Sequence, residues 1–135
     1  MWVGRCGLKV IDGTEHLPPR GKAALLVSNH NSWFDIPMIA QAVPNPFKYL
    51  AAAELKTLPL VGQQLAHGNH VLIDRSTKRG RFRAFKESVA YLQRGISIMA
   101  FPEGTRSHDG TMQPFKGGVF SMALKARCSR DVAEM

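Results

Sequence analysis

The residues best suited to chemistry lie in the stretch 28–35, which reads SNHNSWFD. His30 precedes Asp35 by five positions and directly follows an apolar run that is typical of a buried strand. A neutral imidazole accepts a proton near neutral pH, and a carboxylate on its other nitrogen fixes the tautomer and stabilises the imidazolium. The spacing therefore fits a proton-transfer pair. It also fits a turn histidine followed by an aspartate at a helix start, and the pair alone does not decide.

A second polar cluster, FPEGTRS at 101–107, follows another apolar run. It offers the carboxylate of Glu103, the guanidinium of Arg106 and the hydroxyl of Thr105, while Gly104 allows backbone N–H groups to approach a ligand closely. An arginine in such a turn can bind a phosphate through two parallel hydrogen bonds. The alternative is a surface turn closed by a Glu103–Arg106 ion pair, and the two interpretations are level on chemistry.

Two further cations stand at comparable positions. Arg75 ends the segment GNHVLIDR at 68–75 and is a second candidate for phosphate binding, with Asp74 orienting it. A strand-end ion pair between Asp74 and Arg75 is the commoner arrangement. Lys116 precedes a predicted helix, where it could add a third cation beside a bound anion.

The strands that must position these clusters are predicted from short apolar runs bounded by turn residues. The runs cover residues 23–28, 47–52, 69–73 and 96–101, and a looser alternation at 3–11 indicates an edge strand. The runs at 23–28 and 47–52 are predicted to be buried strands, as in a parallel sheet covered on both faces.

Helical patterns fall between the strands. Residues 78–94 place Phe82, Phe85, Val89 and Leu92 on one face, as expected for a helix packed on a sheet. The other predicted helices run from an Asn31 or Ser32 cap to about Val43, over 55–67 with breaks at Pro59 and Gly62, and onward from near Gly118.

This alternation predicts an α/β domain with a mostly parallel central sheet flanked by helices. In that architecture ligands bind at the carboxyl ends of the strands. The three polar clusters, at 28–35, 73–76 and 102–107, all follow strands at such ends. The sequence therefore predicts one active site at this edge of the sheet.

Composition narrows the class of protein. The 135 residues, 44% of them hydrophobic and 21% charged, fit one globular domain and exclude a disordered chain. The net charge of +8 favours an anionic partner, which is a nucleic acid, an acidic membrane surface or a phosphorylated substrate. Cys6 and Cys128 match no metal-ligand spacing, so we expect free thiols and no metal site. No apolar run approaches the ~20 residues of a transmembrane helix.

A basic run contributes much of this charge. Between residues 75 and 86 the chain carries six cations and no acid: Arg75, Lys78, Arg79, Arg81, Arg83 and Lys86. A solvated helix face is the commoner explanation. The alternatives are contact with anionic lipid headgroups or with the phosphates of a substrate. The run matches no nucleic-acid-binding motif, so we expect no nucleic-acid partner.

Taken in order, the clusters resemble the motifs of the glycerolipid acyltransferases, in particular the 1-acylglycerol-3-phosphate acyltransferases that form phosphatidic acid. The family's Asn-His-x-x-x-x-Asp motif matches Asn29, His30 and Asp35. Its glycine-and-apolar-strand motif ending in Ile-Asp-Arg matches 68–75, Phe-Pro-Glu-Gly-Thr-Arg-Ser stands unchanged at 101–107, and Phe-Lys-x-Gly matches 115–118. The resemblance covers roughly residues 8–126.

The resemblance implies a reaction and a set of roles. His30 would be the general base for the acceptor hydroxyl, with Asp35 orienting it. The acyl donor would be a thioester, acyl-CoA or acyl carrier protein, used as a co-substrate without any other cofactor. Glu103 fits a substrate hydroxyl or the orientation of an arginine better than a phosphate. The substrate-binding set for an anionic lysophospholipid would be Arg75, Glu103, Gly104, Thr105, Arg106 and Lys116.

The chain departs from the family pattern at both ends. The family's Val-Pro-x-x-Pro strand and its N-terminal membrane-binding helices have no counterpart here. We therefore expect a single domain over 1–135 that is incomplete at its C-terminus, poorly stable or inactive alone, and held peripherally or monotopically on the cytoplasmic face of a membrane. Other acceptors remain open (glycerol-3-phosphate, another lysophospholipid or an aminolipid), as does an inactive lipid-binding fragment.

Overall fold

Four short parallel strands form the central sheet of the computed structural model, which describes residues 13–126. They are β1 (Leu25–Val27), β2 (Phe47–Ala52), β3 (Val71–Ile73) and β4 (Ser97–Ala100). Their order across the sheet is β1-β4-β2-β3, and every pairing is parallel. The predicted α/β class with a parallel sheet is confirmed.

The strand order determines which loops meet. β4 lies between β1 and β2, with Met99 opposite Leu26 on one side and Tyr49 on the other. Because parallel strands end at the same edge, the segments that follow β1 and β4 leave the sheet side by side. This adjacency brings together two clusters that lie more than 70 positions apart, as the contact between residues 30 and 103 shows.

Helices cover both faces of the sheet. They are α1 (Asp35–Ala42), α2 (Val61–His67), α3 (Lys78–Gln93) and α4 (Gly117–Ala126), with 3₁₀ turns at Thr14–His16 and Ala53–Thr57. Alternate strand residues point to opposite faces. Leu25 and Ile98 belong to the core shared with α3 and α4, whereas Leu26 and Met99 belong to the core shared with α1.

Part of the predicted organisation cannot be compared with the structure. The edge strand at 3–11 and both cysteines lie outside residues 13–126. Within the described range, no helix combines the length and hydropathy needed to cross a bilayer.

Helix α1 begins later than predicted. Its first residue is Asp35, and the preceding Phe34 occupies the cap position without a side-chain hydrogen bond to the helix. The predicted cap at Asn31 or Ser32 is wrong, because the backbone N–H groups of both residues donate to the Asp35 carboxylate and form a turn ahead of the helix.

Two details of the other helices also differ. Gly62 does not break α2 but lies inside it, where a Cβ atom would fall 2.1 Å from the Lys56 carbonyl oxygen. On α3, Phe82 is 58% exposed, and the buried face is formed by Ala84, Ser88, Val89 and Leu92. Phe82 follows the three- and four-residue spacing of the predicted face, but it lies at the margin of the buried face. Its ring packs under the Lys86 amino group and not against the sheet.

Strand β2 is less buried than predicted. Only Tyr49 among its six residues is buried, and the others are half-buried. The strand lies inside the sheet, and five of its six residues (Phe47, Tyr49, Leu50, Ala51 and Ala52) line a cavity, so the exposure does not come from a sheet edge. A strand that lines an apolar cavity has the same apolar sequence pattern as a strand packed in the core, so the pattern did not distinguish the two.

The close approach at Gly62 can be tested by Gly62→Ala. The added methyl would collide with backbone, so we expect a loss of roughly 1–3 kcal/mol in the free energy of unfolding. The matched control is Gly118→Ala in α4, where a Cβ meets nothing within 4 Å and the better helix propensity of alanine should stabilise by up to about 1 kcal/mol. Urea denaturation measures both, and equal stability of the two variants would contradict the packing.

Candidate active site

His30 and Asp35 form a hydrogen-bonded pair at the end of β1. The His30 Nδ1 atom lies 2.9 Å from Asp35 Oδ2, and both side chains are largely buried. The same oxygen accepts the backbone N–H groups of Asn31 at 2.8 Å and Ser32 at 2.9 Å. The turn between the two residues thus holds the carboxylate in place against the imidazole.

These contacts set the charge of the pair. Burial raises the pKa of Asp35, but hydrogen bonds from the Ser32 N–H, the His30 ring and the Asn31 N–H outweigh this effect and hold that pKa below its usual value. An ionised carboxylate only accepts hydrogen bonds, so Nδ1 carries a proton and Nε2 of the neutral ring is the basic atom. Within the described chain, no protein group bonds Nε2.

The β4 loop fixes the rest of His30. The imidazole stacks on the Phe101 ring with a centroid separation of 3.9 Å and an interplanar angle of 15°. The backbone N–H of His30 donates to Glu103 Oε1 at 2.7 Å, and its carbonyl accepts from the Ser107 N–H at 2.8 Å. Main chain, ring and carboxylate partner together leave this histidine little freedom of orientation.

Glu103 has a different position from the one predicted. Its side chain is 2% exposed, and its second oxygen accepts the Gln113 N–H at 2.8 Å. Among residues 13–126 no arginine forms an ion pair with this carboxylate, and the predicted substrate-binding role of Glu103 stays a prediction. Nor does Glu103 line the cavity described below. The structure makes it a clamp between the loops that follow β1 and β4.

The predicted arginines do reach the site. Arg75 donates to the Gly104 carbonyl, and the Arg106 guanidinium lies 4.2 Å from the centre of the Trp33 ring. Gly104 has φ +76°, and its missing Cβ leaves room for the Lys116 amino group, which would lie 2.4 Å from such an atom. Arg75, Gly104, Thr105 and Arg106 all line one cavity with His30, whereas Lys116 lies outside its lining.

Both ion-pair alternatives are wrong. Among residues 13–126 no lysine or arginine pairs with a carboxylate. Asp74 instead accepts hydrogen bonds from the Ser76 hydroxyl and backbone and from the Thr77 hydroxyl, which together lower its pKa. The positive charges of Arg75 and Arg106 are therefore free to meet an external anion.

The cavity has a volume of about 900 Å³, and most of its walls are apolar. This volume lies within the usual range for small-molecule sites. The sequence analysis did not predict most of the walls. The apolar side chains around Pro59 could have indicated them, because a helix interrupted by proline does not need so many apolar residues for its own packing. The walls distant from the polar clusters come from Ile36, Ala40, Leu55, Leu58, Leu60, Val61 and Leu65.

Comparisons with known proteins agree with this architecture. The family model described as Acyltransferase matches residues 10–132. A 1-acyl-sn-glycerol-3-phosphate acyltransferase of Chlamydomonas reinhardtii is 36% identical over 116 residues, covering 86% of this chain and 35% of the relative. The alpha enzyme of the same name from Homo sapiens is 31% identical over 123 residues, covering 90% of this chain and 43% of the relative.

A solved structure shows the same fold. The 1-acyl-sn-glycerophosphate (LPA) acyltransferase PlsC from Thermotoga maritima superposes with a TM-score of 0.71 at 32% identity, over 87% of this chain and 45% of that one. The chain thus spans about a third to just under half the length of these relatives. With the family model matching nearly its whole length, the chain belongs to the acyltransferase family.

Proposed function

We propose that this chain carries the catalytic machinery of an O-acyltransferase that converts 1-acylglycerol-3-phosphate to phosphatidic acid. The observation that carries the proposal is the placement of His30, held by Asp35, in the lining of an apolar cavity that also includes two unpaired arginines. A base, an anion site and an apolar wall are the three features that an acylated glycerol phosphate requires. The names of the relatives supply the acceptor class.

The cavity accounts for both halves of this acceptor. Arg75 and Arg106 bind the phosphate, since guanidinium groups match phosphate oxygens in geometry and charge. The acyl chain lies against the apolar walls, where its burial stabilises by about 0.8 kcal/mol per methylene. Thr105 lines the same rim and is available to a glycerol hydroxyl or phosphate oxygen.

Acyl transfer then follows from the ionisation of the pair. Nε2 of His30 takes the proton of the acceptor hydroxyl as its oxygen attacks the thioester carbonyl, and Asp35 stabilises the imidazolium that forms. The new C–O ester bond forms, the C–S bond breaks, and the imidazolium returns its proton to the leaving thiolate. No covalent enzyme intermediate is needed, and the donor, acyl-CoA or an acyl carrier protein, is the only co-substrate.

The protein acts at a membrane surface in this proposal, on the cytoplasmic face. Both substrates carry apolar chains that partition into lipid, and apolar side chains near the cavity lie open to solvent: Phe34 is 73% and Leu60 77% exposed. The net charge of +8 favours contact with anionic headgroups.

His30→Ala tests the proposal directly. We expect a loss of at least ~100-fold in kcat, because the general base is removed while the anion site stays intact. The full protein is assayed with labelled acyl-CoA and 1-acylglycerol-3-phosphate, with glycerol-3-phosphate as a second acceptor. His67→Ala is the control, since this exposed histidine on α2 lines no part of the cavity. Turnover by His30→Ala at the wild-type rate would refute the mechanism.

Asp35→Asn removes the negative charge of the side chain while keeping its shape. The neutral amide cannot stabilise the imidazolium or accept all three hydrogen bonds as the carboxylate does, so we expect kcat to fall by at least about 100-fold with little change in KM. In the wild type, the pKa of Asp35 is lower in the folded than in the unfolded protein, where it is 3.8. The ionised carboxylate therefore stabilises the fold at pH values above 3.8, and this stabilisation is lost as the pH falls through the pKa of the folded state.

The stability difference between wild type and Asp35→Asn should therefore shrink as the pH is lowered below 3.8. Asp74 and Asp109 also have lowered pKa values, but both proteins contain them and their effects cancel. Urea unfolding across this range measures the difference. A gap that is constant with pH would show that the carboxylate charge contributes nothing to the turn.

Glu103→Gln tests the clamp. Glutamine can accept one of the two backbone N–H groups, but its own NH₂ then faces the other, which should cost roughly 1–3 kcal/mol of stability. Because the His30 loop shifts, kcat should fall on the order of tenfold while KM for the phosphorylated acceptor stays unchanged. Glu54→Gln, at an exposed carboxylate, is the matched control. A raised KM with normal kcat would instead support direct substrate binding by Glu103.

A further inference from the structure

A second concave site adjoins the active-site cavity. It is a groove of about 530 Å³ between the 3₁₀ turn Ala53–Thr57 and the first half of α3. Its charged and titratable lining consists of Lys56, His70, Asp74, Arg79, Arg83 and Glu87. His70 also lines the active-site cavity, so the two spaces meet at this side chain.

The three cations of the groove have no partner in the part of the chain that the structure describes. The side chains of Lys56, Arg79 and Arg83 are exposed, and none forms a hydrogen bond or ion pair within residues 13–126. Of the two carboxylates, Asp74 is occupied by the hydroxyl and backbone donors of Ser76 and Thr77. The groove therefore offers more uncompensated positive than negative charge.

The basic first turn of α3 is unfavourable for the helix itself. The first turn contains no acidic residue and begins with Lys78 and Arg79, at the end where the helix dipole is positive. Cations there oppose the dipole by about 0.3–1 kcal/mol each. Helix stability does not explain this arrangement, whereas an anion bound in the groove would compensate it.

We propose that this groove binds the phosphate groups of a nucleotide-bearing acyl thioester, with the acyl donor crossing His70 so that its thioester lies in the active-site cavity. The inference rests on the acyl transfer proposed above and adds the place where the donor is held. Lys56 on one wall and the two arginines on the other surround a phosphate from opposite sides. A concave site shared between two elements suits a small polyanion, whereas a lipid surface is met by a flat or convex face.

The decisive variant is Arg79→Ala/Arg83→Ala, which removes both arginines of the groove. Its control is Arg94→Ala/Lys125→Ala, which lowers the net charge equally at exposed cations outside both cavities. Isothermal titration of the full chain with coenzyme A at low salt gives the affinity. Pantetheine, which lacks phosphate, reports any contribution from the rest of the donor. Circular dichroism verifies that both variants fold.

We expect the groove variant to weaken coenzyme A binding by at least about tenfold, and the control by less than about twofold. Pantetheine should bind all three proteins equally. In the acylation assay, the groove variant should raise KM for acyl-CoA without changing KM for the lysophospholipid. Equal affinity of the three proteins for coenzyme A, including no measurable binding by any of them, would overturn the proposal.

Vesicle binding separates the donor from a lipid headgroup. If the groove variant keeps its affinity for coenzyme A but loses binding to vesicles of phosphatidylglycerol and phosphatidylcholine, the groove is a membrane contact and the inference fails. Coenzyme A binding that depends on the arginines without any acyl transfer would refute the proposed function and leave the donor site standing. If the groove variant transfers acyl groups with an unchanged KM for acyl-CoA, the donor site is refuted and the proposed function stands.

Discussion

A buried carboxylate without a cation holds the active-site edge of this fold together. Glu103 is almost completely enclosed, and its two oxygens accept the backbone N–H groups of His30 and Gln113. A buried charge costs several kcal/mol unless hydrogen bonds satisfy it. The loops after β1 and β4 must therefore close on one another for the charge to be tolerated. The stacking of His30 on Phe101 and the bond from Ser107 to the His30 carbonyl follow from that closure.

Local pattern was sufficient to predict the fold and the location of the site. Apolar runs identified four strands, and the rule that parallel strands end at one edge brought His30 and the 101–107 segment together before any coordinates. The function of Glu103 was not accessible in this way, because one of its donors lies 73 positions away and both are main-chain groups that no side-chain motif reveals. The family resemblance implied that Glu103 binds substrate, which stays a prediction; in the structure its buried carboxylate joins two loops.

The apolar cavity shows a second limit of sequence patterns. Residues of β2 and of the segment around Pro59 are apolar, and such residues are expected in a core. In the structure several of them line a space of about 900 Å³. Hydrophobicity reports that a surface avoids water, but it does not report whether protein or ligand covers that surface. Phe82 is the converse case, since its spacing predicted burial while its side chain is exposed and lies under the Lys86 amino group.

The distribution of charges in this chain favours anion binding at the expense of stability. Two carboxylates at this edge of the sheet are occupied by neutral donors: Asp74 accepts hydrogen bonds from Ser76 and Thr77 ahead of α3, and Glu103 clamps two loops. Arg75 and Arg106 consequently face the cavity unpaired, and Arg79 and Arg83 face the groove in the same state. Unpaired like charges repel one another and weaken the folded state. Four arginines on two adjoining spaces, none of them in an ion pair within residues 13–126, form a surface whose electrostatic energy falls when polyanions bind. In the acyl transfer proposed for this chain, a phosphorylated acceptor and a phosphorylated donor supply one polyanion for each space.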